Sequence, residues 1–122
     1  DAVDFGRRRA SVALARAQSD VAESERRATE LDIASGAADA FLGLLAADAA
    51  LTAALTNVDR LTIFAESVRV LVENELRAGA ERSRADAELA AARNRLAEAE
   101  RNVQLARIAL AEAVGAPGTT IE

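Results

Sequence analysis

Leu76-Arg77-Ala78-Gly79-Ala80-Glu81 is the stretch that decides how this chain folds. Gly79 stands between two long runs of apolar periodicity, and glycine is a residue at which helices commonly end and the chain reverses. The stretch therefore predicts a tip at about 79–81 joining a long helix over about 6–78 to a shorter one over about 81–114, with a tail at 115–122. The expected fold class is all-α: a single segment over 1–122, a long antiparallel coiled-coil helical hairpin with unequal arms.

Downstream of the tip the pattern is clean. Ala85, Leu89, Ala92, Leu96, Ala99, Val103, Ala106, Leu110 and Ala113 alternate steps of four and three, with Arg, Glu, Asn and Gln filling most positions between. That is a heptad seam, and its alternation of small and large residues lets two helices approach closely. Gly115-Ala116-Pro117-Gly118 then stops the helix.

Upstream, Asp1 to Gly6 breaks the helical pattern, and Asp4 or Gly6 is the expected N-cap. Arg7, Arg8 and Arg9 follow in a first turn that mildly disfavours cations, so they read as a solvated cluster near Asp1 and Asp4 or as a partner contact. A seam then runs through Ala10, Leu14, Ala17, Val21, Ser24, Ala28, Leu31, Ser35, Ala38, Leu42 and Leu45. Gly36 and Gly43 lie within that run; they mark either close approach of a neighbour or simple tolerance in a long helix. Beyond Leu45 the seam slips by about one residue and continues through Leu51, Leu55, Val58, Thr62, Ala65, Val72 and Leu76.

Helix lengths sharpen the picture. Gly6 to Ala78 spans about 110 Å if helical throughout, and Glu81 to Val114 about 51 Å. Folded back about Gly79, Val114 faces roughly Leu45, so the short arm ends where the long arm's seam slips. The stripe of Leu14, Val21, Leu31 and Leu42 must then pack on another segment or on other copies of the chain.

Composition excludes several function classes. Aromatic residues make up 2% of the chain, too few to fill a globular core, whereas Ala, Leu, Glu and Arg dominate as in long helices. The absence of Cys and His removes thiol chemistry, the usual zinc ligands and the commonest general base. No catalytic, cofactor or metal site is expected. The carboxylates of Asp86, Glu98 and Glu100 sit at helical spacing from Arg93, Arg95 and Arg101, which reads as surface ion pairing and not as an active site. A net charge of −5 argues against nucleic acid. No uncharged 18-residue span predicts membrane insertion. The polar faces carry mixed charge, which disfavours a membrane-surface helix. Starting at Asp1 and not at Met, the chain reads as a piece of a longer protein.

With tip and seams in hand, the chain resembles one repeat of the TolC-type outer-membrane efflux proteins, the exit ducts of tripartite pumps. Asp4-Phe5-Gly6-Arg7-Arg8-Arg9 resembles the family's strand end leading into a basic first turn, and Ala40-Phe41-Leu42 sits where the family usually has Ala-Tyr-Leu. Ala85-Asp86-Ala87-Glu88-Leu89-Ala90-Ala91-Ala92-Arg93 resembles the start of its ascending helix, and Leu110, Gly115 and Pro117 resemble its Leu-x-x-x-x-Gly-x-Pro ending. One departure lies at the tip, where the family commonly has Gly-Leu-x-x-x-x-Asp. Here Ala80 follows Gly79; with Ala85 as the family's Ala, Glu81 takes the Asp position and about four residues are missing after Gly79, whereas taking Asp86 as the family's Asp puts the downstream register wrong.

The resemblance implies a periplasmic segment of an outer-membrane protein in a Gram-negative envelope, trimeric in the parent. Its tip would dock a periplasmic adaptor protein. The residues expected there are Arg77, Gly79, Ala80, Glu81, Ser83 and Arg84: Gly79 for the reversal, Ala80 for close backbone approach, the charged residues for polar contacts. The isolated segment is expected to self-associate through its unpartnered stripe as a dimer or small bundle. An alternative is the α-hairpin of an adaptor protein itself, a binding module, but the arms of such hairpins are of equal length.

Overall fold

In the computed structural model, residues 2–119 are described, with side chains from residue 6 onward. Two helices make up the fold, α1 at Ala2–Glu73 and α2 at Gly79–Ala113, with no strand among the described residues. The hairpin with unequal arms is therefore present. The chain divides into two compact units, Asp1–Ala38 and Asp39–Glu122.

The first unit is α1 alone. Every described side chain from Gly6 to Gly36 is exposed, including Leu14, Val21 and Leu31 of the expected stripe. The helix begins at Ala2, so neither Asp4 nor Gly6 caps it. Gly6 lies in its second turn, where its roughly 1 kcal/mol propensity cost is absorbed by so long a helix. The expected clustering of the arginines with Asp1 and Asp4 lies outside the described side chains.

The second unit is a paired hairpin. On α1 the seam comprises Ala40, Leu44, Ala47, Leu51, Ala54, Val58, Leu61, Ala65, Val68 and Val72, again in steps of four and three and all at least half-buried. On α2 it is the set expected from sequence, with Ala85, Ala92, Ala99, Val103 and Leu110 buried and Ala111 buried beside them. Val68 and Ala65 pack with Ala85 near the tip, backed by Val72 and Leu89. Leu44 packs with Val103 and Leu110 at the other end, together with Ala40, Ala47, Leu51 and Ala106. Among the described residues every buried one is apolar, so the seam carries no desolvated charge.

This register corrects the sequence reading of α1. Leu55 is 46% exposed and Thr62 is exposed, whereas Leu61 and Val68, absent from the expected set, are buried. Thr62 is accommodated on the surface because its hydroxyl donates to the Val58 carbonyl at 2.8 Å. Leu42 and Leu45 also face away from α2, two residues out of phase with Leu44 and Ala47 and so about 200° around the helix. The slip is thus two residues, and α2 ends beside Ala40 and Leu44, not beside Leu45. At Gly36 and Gly43 an added Cβ would meet nothing within 4 Å in this chain, so no neighbour within the hairpin requires glycine at either position.

The reversal also moves. α1 ends at Glu73, and Glu75 adopts φ 56, a left-handed conformation. The Glu75 amide donates to the Val72 carbonyl at 3.0 Å and the Leu76 amide to the Leu71 carbonyl at 2.9 Å. This pair of bonds is a Schellman C-cap. The same motif ends α2, with Gly115 at φ 74 and bonds from Gly115 to Glu112 and from Ala116 to Ala111. Gly79 is therefore not the turn residue: it is the first residue of α2, and Ala78 is the N-cap at φ −71, ψ 141 with no side-chain cap bond.

Left-handed backbone costs an L-residue about 1–2 kcal/mol and a glycine almost nothing. Glu75→Gly is therefore expected to stabilise the hairpin by about 1 kcal/mol, after the greater entropy of glycine in the unfolded chain is deducted. Urea denaturation followed by circular dichroism measures it; a loss of stability would show that the cap geometry is misassigned.

Candidate partner-docking site at the hairpin tip

The five residues from Asn74 to Ala78 join the two helices. Such a short link forces Arg77, at its end, over the first turn of α2. Its guanidinium pairs with the Glu81 carboxylate. Glu81 sits where the positive end of the helix dipole favours an acid, so both the dipole and Arg77 hold it. One turn further on, Arg84 Nε lies 3.3 Å from Glu88 Oε1.

These two ion pairs rim a shallow groove of about 400 Å³ whose floor is Phe64, Val68 and Ala85. Val68 and Ala85 are buried in the seam, while Phe64 stands at its edge, 45% exposed. The groove thus offers an apolar strip between two charge pairs on a rigid two-helix base. Each pair is solvent-exposed and contributes little to stability.

Of the residues expected at the tip, the structure brings Arg77, Glu81 and Arg84 to this groove. Gly79 and Ala80 in the first turn of α2 and Ser83 at the start of the second lie exposed without lining it. Phe64 and Glu88 escaped the sequence reading. With the reversal at Glu75 and Leu76, residues whose numbers sum to about 152 face each other, and this rule brings Phe64 to Glu88.

On the outer face near the tip, Arg69 bridges Glu66 and Glu73, the latter at 2.8 Å. The hydrogen bond from Arg69 holds the Glu66 carboxyl below its usual range, and the same bond raises the guanidinium. A lowered carboxylate contributes stability above its unfolded pKa and loses it as pH falls through the folded value; full exposure keeps that contribution small here. Farther along α2, Asp86 pairs with Arg82 at 3.8 Å, and Glu98 and Glu100 form no ion pair among the described residues. The expected pairing with Arg93, Arg95 and Arg101 is not made; Asp86 takes Arg82, four residues before it, instead.

A protein-family model described as outer membrane efflux protein matches residues 3–116, nearly the whole chain. Searches of curated proteins and of solved structures returned no match.

Proposed function

This chain belongs to the outer membrane efflux protein family, and on that footing we propose that it is a periplasmic wall segment of an efflux duct whose tip docks a periplasmic adaptor protein. The observation that carries the reading is the tip groove, an apolar strip of Phe64, Val68 and Ala85 between the Arg77–Glu81 and Arg84–Glu88 pairs. A helical hairpin laid against it would bury apolar side chains on the strip and exchange charges with the rim.

The exposed faces support a wall role. On the side of α1 away from α2, Leu42, Leu45 and Ile63 are 60%, 50% and 70% exposed, and no partner for them lies in the hairpin. In the intact protein, further helices of the same assembly, a trimer by family likeness, cover this face and the Leu14, Val21 and Leu31 stripe. The isolated chain associates with itself through the same surfaces.

By length and composition α1 could cross a membrane, its most apolar 18 residues reaching a mean hydropathy of 1.6. Asp32, Asp39, Asp48 and Asp59 nevertheless interrupt its apolar part at short intervals. An aspartate near a bilayer centre costs about 2.5–3.5 kcal/mol on insertion scales. The helix serves the wall in water.

This segment has no cysteine of its own, so one introduced into it, in a parent without other reactive cysteines, reports a single place. In cells carrying the full parent protein, Ala80→Cys labelled with a thiol-reactive photo-cross-linker is expected to cross-link to the adaptor on illumination, and Asn94→Cys, exposed midway along α2, is not. Equal yields at both positions, or none at Ala80, would remove the tip from the docking surface.

A further inference from the structure

The first unit carries a charge pattern that neither the seam nor the tip uses. Between Gly6 and Ser19 lie Arg7, Arg8, Arg9 and Arg16 and no acidic residue, in a chain whose net charge is −5. Arg8, Arg9 and Arg16 share one face of α1 with Val12 and Ala13, and together these five line a surface concavity of about 460 Å³. Val12, half exposed, sits among the three guanidiniums. The stripe residues Leu14 and Val21 emerge on a different side of the helix, about 140° away at 100° per residue. A helix whose stripe is packed in a wall therefore still presents its arginine face outward.

We infer that this face, Arg8, Arg9 and Arg16 around Val12 and Ala13, is a docking surface for a membrane bearing anionic phospholipid headgroups. Charge complementarity is local and specific to this stretch: elsewhere on α1 acids are interspersed with bases, as in the Arg26–Glu30 and Arg27–Glu23 pairs. Guanidiniums present paired N–H donors that match phosphate oxygens two at a time. Val12 and Ala13 add apolar surface between them, which fits the boundary of headgroups and acyl chains and has no use against a bare phosphate ion. The same feature favours a bilayer over nucleic acid, whose phosphates would meet only the arginines and leave Val12 and Ala13 without an apolar partner. The assignment rests on the family reading only in that the protein works beside a membrane; binding to the face does not require the tip, the adaptor or a working pump.

The test is co-sedimentation of the full chain with vesicles of equal parts phosphatidylcholine and phosphatidylglycerol, against vesicles of phosphatidylcholine alone. Binding is expected only to the anionic vesicles and to weaken as salt rises. Each arginine near an anionic surface is worth about a 5-fold change in binding, so Arg8→Gln, Arg9→Gln and Arg16→Gln together should weaken it roughly 100-fold, with helicity by circular dichroism unchanged. Lysine at the same three positions should keep most of the binding. Equal binding to both vesicles, an unaltered glutamine variant, displacement by millimolar inorganic phosphate, or tighter binding to a DNA duplex would each overturn the inference. If the glutamine variant loses helicity, the salt dependence of the unaltered chain decides: binding to anionic vesicles that does not weaken with salt overturns it. Failure here would leave adaptor cross-linking at Ala80 unaffected, so the two proposals fall separately.

Discussion

Deleting Ala97 is expected to unzip the half of the hairpin distant from the tip. The deletion rotates everything after it by about 100°, so that Glu100, Gln104 and Arg107 take the seam positions of Ala99, Val103 and Ala106. Ala111 takes the place of Leu110. Val103 and Leu110, 3% and 8% exposed, are lost from the cluster they form with Leu44. An uncompensated buried charge costs about 3–5 kcal/mol, and a large-to-small change at a buried leucine about 2–5 kcal/mol. Together these exceed what one end of a two-helix seam supplies, so the helices part there instead of burying the charges. Urea denaturation should show a loss of more than about 5 kcal/mol or a second, earlier transition. Hydrogen exchange should lose protection from Ala99 onward while the Ala65, Val68 and Ala85 cluster keeps its own. Inserting one alanine after Glu98 in the same variant restores the phase and should restore stability. A deletion variant within about 1 kcal/mol of the parent would mean the observed seam is not what holds the arms together.

The seam of α2 was legible in the sequence because that helix has one continuous apolar stripe, with only Leu105 and Ile108 as large apolar residues exposed off it. Ala85 to Leu110 recur without ambiguity, and Gly115 with Pro117 marks the end by residue type alone. The C-terminal half of α1 was harder for a physical reason. It is apolar on two faces, with Leu44, Leu51 and Leu61 toward α2 and Leu42, Leu45, Leu55 and Ile63 away from it. Two stripes give two self-consistent periodicities, and residue identity alone does not say which one the hairpin uses. Tertiary pairing decides, and it selects the set that keeps step with α2.

The turn was misplaced by the same kind of degeneracy. A left-handed C-cap residue is usually glycine, so attention falls on Gly79, while the residue that adopts it is Glu75. The two backbone bonds of the motif need only the φ value, and glutamate meets it at a cost that the packed arms cover. From that shift follows the register, and from the register the neighbours of the tip. That Arg77, Glu81 and Arg84 of the candidate site lie exposed at the tip was readable because charge near a turn stays on the surface wherever the turn falls. Phe64 was not, since it lies on the other arm and its place depends on the register alone.

With Gly79 released from the turn, its substitution becomes a clean probe of docking. A Cβ at Gly79 meets nothing within 4 Å, so a large side chain there projects into solvent and leaves the hairpin as it is. At the tip of a docked assembly the same side chain collides with the partner. Gly79→Trp in the full parent protein is therefore the direct test: co-purification with the adaptor and export by the assembled pump are measured alongside the oligomeric state of the duct. Loss of a well-packed interface anchor weakens binding by about 30-fold or more, and a steric block at the contact should do at least as much. The expected result is an intact oligomer that no longer retains the adaptor and no longer exports. Unchanged adaptor retention and export with tryptophan at this position would contradict the docking role of the tip.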